Sequence, residues 1–239
     1  MSDEEQKGPP PVRRGSARQR EAGAATRRET RRLLLVAAGE LFAERGYAAS
    51  TVTAIAERAG VSLQTLYLAW GSKRDLLRAF AETALSGREE GVTPAYVPGL
   101  QTAIETHGAG SRDLRARLRG LAGQLRLMAE GGGDRGSAAL AWKLYRDAAG
   151  ADPEIAADWA GLQQLRRTTF DALLSTVPEQ ALRPGMTHED AAQTAWVIAS
   201  PETYDLLVRH GGSTPSQFEQ WVGRTLITAL LPDEQPAAR

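Results

Sequence analysis

Residues 50–70 read S-T-V-T-A-I-A-E-R-A-G-V-S-L-Q-T-L-Y-L-A-W, and two short helices joined by a tight turn account for them. Thr51 predicts an N-cap, and Val52 to Ala59 supplies about two turns with Val52, Ile55, Ala56 and Ala59 on one side. Gly60 stands where the helix must stop, because only glycine enters the left-handed region without a steric penalty. Val61 is a single apolar residue placed to plug the angle between the helices, and Ser62 predicts the cap of a second helix, Leu63 to Trp70. Small Ala56 lets the two helices approach closely. The pattern is a helix-turn-helix, a unit whose second helix enters the DNA major groove. An αα-corner inside a helical protein of another kind has the same spacing.

Working outward, T-R-R-E-T-R-R-L-L-L-V-A-A-G-E-L-F-A-E-R-G-Y (26–47) precedes the pair, and G-S-K-R-D-L-L (71–77) follows it. Together with I-A-E-R-A-G-V-S (55–62) and T-L-Y (65–67), these stretches give residues 27 to 80 five elements in one order and spacing. Over that range the chain resembles the N-terminal DNA-binding domain of the TetR family of bacterial transcriptional regulators. The resemblance implies an all-α homodimer that binds a near-palindromic DNA operator, more often as a repressor, and is released by a small-molecule inducer whose identity the sequence does not reveal. It implies a cytoplasmic, nucleoid-bound protein with no cofactor and no membrane partner, and not an enzyme.

The preceding helix is expected from about Thr26 to Arg45, with Leu34, Ala37, Ala38, Leu41 and Phe42 on one buried face. Gly46 ends it, and Tyr47 follows as an apolar anchor. Before it, residues 1–25 read as a disordered basic arm: a Pro-Pro-Pro run, several Gly and Ala, and almost no large apolar side chains. Such an arm is either a solvated tail or a tracker of phosphates beside the helix pair.

Sequence reading should fall to the second helix of the pair. Leu66 and Trp70, four apart, face the core, which leaves Leu63, Gln64, Thr65, Tyr67 and Leu68 nearer the DNA. An amide such as that of Gln64 pairs with adenine, and the Thr65 hydroxyl can donate to a base or phosphate. The family resemblance adds a backbone contact for the Tyr67 hydroxyl and a phosphate contact for Lys73. Thr51, Ser62, and Arg27 and Arg28 at the start of the first helix complete the candidate DNA-binding set. Leu68 and Ala69 depart from the family pattern, where basic or polar residues are common. A recognition helix so poor in long donors leans on thymine methyls or on groove shape.

The whole chain sets the limits. Its 239 residues are 42% hydrophobic and contain no cysteine, so disulfides and thiolate metal sites are excluded. Net charge is zero, but residues 1–80 hold 14 Lys/Arg against 9 Asp/Glu, and residues 81–239 hold 15 against 20. A basic first third on an acidic remainder suits a molecule that presents one end to a polyanion. There is no apolar run long enough to span a membrane and no secretory h-region.

The expected division is a basic arm (1–25), a DNA-binding domain (26–72), a helical regulatory and dimerisation domain (73–232) and a disordered tail (233–239). A further helix begins after Ser72 with Leu76, Leu77, Phe80 and Ala84 on one face. Residues 86–111 read as a break with one short helix around Pro98 to Thr106, and Gly131–Gly133 as another break. Helices are expected over Asp113–Glu130, Ser137–Ala149, from Asp152-Pro153 up to Pro178, over His188–Ser200 with a restart at Pro201, and from Pro215. No strand-like alternation appears, so the chain is all-α.

No catalytic constellation is present: no phosphate-cradling glycine motif, no G-x-S-x-G, no H-E-x-x-H. His107, His188 and His210 lack ligand spacing, so no metal site is expected. Leu125, Met128, Trp142, Tyr145, Trp159 and Phe170 are candidates to line the ligand pocket that the resemblance implies, with simple core as the alternative. By the same resemblance residues 188–209 and 215–231 form the dimer surface. Trp196, Val197, Trp221, Val222 and Leu226 give these terminal helices apolar surface to pair or to bury.

Overall fold

The computed structural model describes residues 14–86, 113–131 and 137–233, and every regular element among them is helical. The helices start where a short polar side chain precedes an apolar run. Thr51, Ser62, Asp113, Ser137, Asp152, Thr187, Ser200 and Thr214 each accept a backbone N–H from the first turn that follows, satisfying a donor the helix itself leaves open. The elements are α1 (Arg14–Ala49), α2 (Val52–Arg58), α3 (Leu63–Trp70), α4 (Lys73–Ser86), α5 (Leu114–Glu130), α6 (Ala138–Ala149), α7 (Pro153–Ser175), α8 (His188–Ile198), α9 (Pro201–Tyr204) and α10 (Pro215–Leu230). A 3₁₀ turn lies at Glu179–Ala181, and the chain after Tyr204 widens into a π-helical turn, Asp205–His210. The expected restart at Pro201 is therefore present, and it ends in a wider turn than an α-helix.

The arm expected to be disordered needs correction. Residues 14–25 continue α1 twelve residues ahead of the expected start. The stretch is rich in Arg, Ala, Gln and Glu, which favour helix without any apolar face, and extending an existing helix is far cheaper than nucleating one. The hydroxyls of Thr26 and Thr30 donate to carbonyls one turn back, each at 3.0 Å. At its other end α1 is broken at Gly46, whose φ of 74° carries the chain out of helical geometry for one last turn. Residues 1–13, 87–112, 132–136 and 234–239 lie outside the described residues, and with them all but the first residue of the expected break over 86–111 and its short helix. Of the expected tail only Asp233 is described; it pairs with Arg183 at 3.3 Å.

Two apolar clusters organise the packing. Leu34, Leu41 and Phe42 of α1 meet Ile55 of α2, Leu66 of α3, and Leu76, Leu77 and Phe80 of α4. Leu144 and Tyr145 of α6 and Ile155 of α7 close this cluster from the other side. The second cluster joins α5, α7, α8 and α10 through Leu121, Phe170, Ala195, Phe218, Val222 and Leu226. Trp159 and Leu162 of α7 pack against both clusters, so the expected division after residue 72 does not coincide with a gap in the packing. Ions reinforce the junction. Arg74 of α4 pairs with Asp158 at 2.7 Å and with Glu154 at 2.7 Å, and Arg78 reaches Asp158 at 2.8 Å.

α1 and α4 touch through a glycine. A Cβ built on Gly39 would stand 2.7 Å from Cε2 of Phe80, whose ring is itself wedged edge-on to Phe42 with centroids 6.3 Å apart. Gly39→Ala is expected to destabilise the chain by about 1–2 kcal/mol, overpacking outweighing the better helix propensity of alanine. A chemical denaturation midpoint at or above the wild-type value would show that Phe80 gives way.

Candidate nucleic-acid interface

α2 and α3 meet at Gly60, which has a φ of 69°, and the N–H of Val61 returns to the carbonyl of Ala56 at 3.0 Å. α3 is pinned from behind. Leu66 is fully buried, and the Trp70 indole is buried with its Nε1 donating to the Arg31 carbonyl at 3.3 Å. The Arg31 guanidinium lies 4.0 Å above the centre of the Trp70 ring, adding a cation–π contact between α1 and the far end of α3. Arg58 fixes α2 to α1 through Glu44 at 2.7 Å and Glu40 at 3.3 Å.

With Leu66 and Trp70 inward, the outer surface of α3 carries Leu63, Gln64, Tyr67 and Leu68, all exposed, with Thr65 half-buried beside them. Ser62 caps α3 by accepting from the Thr65 N–H at 3.1 Å, and the two hydroxyls share a hydrogen bond at 2.8 Å. Thr51 accepts from the Ala54 N–H at 3.1 Å. Arg27 and Arg28 are exposed on α1. The first turns of α2 and α3 thus present capped amino ends, which carry partial positive charge suited to phosphates. α3 itself holds no Lys, Arg, Asp or Glu.

Lys73 is engaged within the protein. Its Nζ donates to the Tyr47 carbonyl at 3.0 Å and sits 4.1 Å from the centre of the Tyr47 ring. Tyr47 lies in the last turn of α1, and its carbonyl, which accepts the Ser50 N–H at 3.2 Å, has a second lone pair for an outside donor. Burial lowers the Lys73 pKa, with Asp152 opposing, and burial pushes the Tyr47 phenol up to about 12. Lys73 is thus a tie between α1 and α4, with two N–H donors left over for a phosphate.

The six expected pocket residues do not form one group. Leu125, Met128 and Trp142 line a cavity of ≈30 Å³ together with Tyr204 and Phe218. That holds a water molecule or two, whereas small-molecule sites run to hundreds of Å³. Trp159 stands outside it, edge-on to Trp142 with centroids 5.0 Å apart. Tyr145 belongs to the other cluster, with α1 and α4, and its phenol pKa is raised by burial. Phe170 is fully buried, its ring 5.4 Å from the guanidinium of the buried Arg166, which donates to the Trp196 carbonyl. Arg126 of α5 is held by Glu219 at 2.6 Å and by Glu130.

The dimer set also divides. Val222 and Leu226 are fully buried within the subunit and form core, a correction that follows from α10 lying along α5 on that face. Val197 and Trp221 stay exposed, at 55% and 37%, and Trp196 is half-buried. Leu206, 65% exposed in the π-helical turn, joins them as an apolar surface residue that spacing did not single out. Asp158, the acid between Arg74 and Arg78, was equally silent in the sequence, since its partners lie some eighty positions away. Among the described residues no group of His, Asp and Glu could hold a metal ion, and no helix is long and apolar enough to cross a membrane.

Residues 34–80 match the family model described as bacterial regulatory proteins, tetR family. No curated protein matches the chain at a significant level. Among solved structures, the chain is similar to NalD of Pseudomonas aeruginosa, the secondary repressor of the MexAB-OprM multidrug efflux pump. The identity is 19%, 87% of this chain and 100% of that one are covered, and the TM-score is 0.61. SmeT in complex with triclosan is 17% identical, with 87% and 96% covered and a TM-score of 0.62. PfmR of Thermus thermophilus, a TetR family transcriptional regulator, is 19% identical, with 82% and 97% covered and a TM-score of 0.57. At these identities the likeness is one of fold.

Proposed function

Given that the chain belongs to the tetR family of bacterial regulatory proteins and is a DNA-binding transcriptional regulator, not an enzyme, we propose that it is a homodimeric repressor. It binds a near-palindromic operator through α3 and is released by a small molecule. The observation that carries the reading is α3 itself: a capped helix anchored by Leu66 and Trp70 that turns Gln64, Thr65, Tyr67 and Leu68 outward on a basic domain. Thr51, Ser62, Arg27, Arg28 and Lys73 are the proposed backbone contacts. Residues 26–72 are the proposed DNA-binding domain and 73–232 the regulatory one, acting in the bacterial cytoplasm.

Homodimerisation is supported by the exposed Val197, Leu206 and Trp221, apolar surface that a second copy would cover. Two-fold symmetry would then set the two α3 helices about one DNA turn, roughly 34 Å, apart. Release by a ligand is supported by analogy with SmeT, a protein of this fold seen with triclosan; the ≈30 Å³ cavity among α5, α6, α9 and α10 would have to widen to admit one. Ligand would favour a dimer with α3 wrongly spaced, lowering DNA affinity by a coupling of about 1–3 kcal/mol.

Selection of bound fragments from a random DNA pool by the full-length chain tests the reading. A two-fold symmetric consensus is expected, and Gln64→Ala is expected to weaken binding to it while leaving thermal unfolding unchanged. Recovery of no consensus would overturn the specific regulator. A regulator of the same architecture without a ligand is separated by thermal shift across a metabolite panel, where the proposed function requires at least one stabilising compound.

A further inference from the structure

Leu68 is 82% exposed, more than any other large apolar side chain among the described residues. Its neighbours on either side, Leu66 and Trp70, are buried, and each is about 200° of helix rotation away. Leu68 therefore points directly away from the anchored side of α3, and Gln64, one turn earlier, shares its outward ridge. That ridge, an amide followed by a branched hydrocarbon, is the centre of the surface α3 offers. No charged side chain of α3 competes with it, because α3 has none.

We propose that Leu68 is a specificity-determining residue that reads a thymine C5-methyl in the major groove, next to an adenine read by the Gln64 amide. The inference rests on α3 being the DNA-reading helix. Each base pair offers the major groove a distinct set of groups, and only thymine offers a methyl. An outward leucine gains by covering that methyl. Over a G·C pair it covers acceptors or an amino group that then lose water without a partner. The pair Gln64 and Leu68 thus selects A·T steps at the heart of each half-site, and does so without a single arginine.

The test removes the methyl from the DNA and leaves the protein untouched. Full-length protein first selects its consensus. Each thymine is then replaced singly and symmetrically by deoxyuridine, which keeps every hydrogen-bonding group and lacks only the methyl. For the wild type, one symmetric position is expected to weaken binding about fourfold per half-site and about fifteenfold over both, the worth of one buried methyl each time. With Leu68→Ala the same replacement is expected to cost nothing, and the variant is expected to unfold with the wild type because the position is solvent-exposed. Binding indifferent to uracil at every thymine overturns the inference, as does a uracil effect that Leu68→Ala leaves undiminished; either result leaves the regulator reading standing. Failure to select any consensus overturns both.

Discussion

Leu66→Ala is expected to lower the stability of the chain by about 3 kcal/mol and to abolish specific DNA binding at temperatures where the wild type binds. Leu66 has no exposed surface, and it is the residue through which α3 enters the cluster formed with Leu34, Leu41, Ile55 and Leu77. α3 has only eight residues, too few for a helix to hold by itself in water, so its geometry is borrowed from that contact. Removing three carbons there leaves a cavity in the wall that sets the angle of α3. Gln64→Ala is the counterpart on the outer face, with a change in stability of no more than about 0.5 kcal/mol and a loss in affinity alone. Urea denaturation and DNA-binding anisotropy on the two variants separate anchoring from reading. A Leu66→Ala chain that unfolds with the wild type would mean that α3 does not depend on this anchor.

The helix pair was legible because everything that defines it is local. A capping hydroxyl at Thr51 and Ser62, a glycine at position 60 and an apolar pair four apart each act within one turn, so their order in the sequence is their order in space. The same logic marks Asp113, Ser137 and Asp152 as helix starts. No apolar stripe marks residues 14–25 of α1, which are helical by propensity and by continuity. Residues 221–226 show the opposite limit. Trp221, Val222 and Leu226 are all apolar, and only the position of α5 decides that Val222 and Leu226 face inward while Trp221 stays outside.

Longer reach brings the remaining misses. Tyr145 and Trp142 stand three apart on one helix, yet Tyr145 joins the cluster of α1 and α4 while Trp142 joins that of α5 and α10. Periodicity reports that a face is buried and is silent on which neighbour buries it. Lys73 adds a second reason. A long flexible side chain at a helix start can reach outward to phosphate or back to a carbonyl in the last turn of another helix, and Lys73 shares the Tyr47 carbonyl with the Ser50 N–H. Cavities lie furthest from the sequence, since the ≈30 Å³ between Leu125, Met128 and Trp142 is what remains where four helices pack.

Asp158→Asn is expected to cost about 2 kcal/mol at neutral pH and to flatten the acid limb of the stability curve. The carboxylate is largely buried and holds two guanidinium groups of α4, those of Arg74 and Arg78, so its charge is met at short range on both oxygens. Removal of one partner from such a cluster costs more than the cluster contributes net, because the arginines remain; their partial exposure to water keeps the figure below that of a fully buried pair. The hydrogen bond from Arg74, with Arg78 and the two charges, holds the Asp158 pKa below the ordinary aspartate value against the opposing effect of burial. A carboxyl depressed in this way contributes its full stabilisation above the unfolded pKa of about 3.9 and loses it as pH falls through the lower folded value. The gap between wild type and Asp158→Asn should therefore be constant above about pH 5 and close below about pH 4. Urea denaturation midpoints across that range measure it, and a gap that persists undiminished into strong acid would assign the loss to packing instead of charge. Because α4 joins α2 and α3 to the remainder through this ion cluster and the apolar contacts around Tyr145, the proposed function further requires the same substitution to weaken any ligand's effect on DNA affinity, with the affinity of the ligand-free protein less affected.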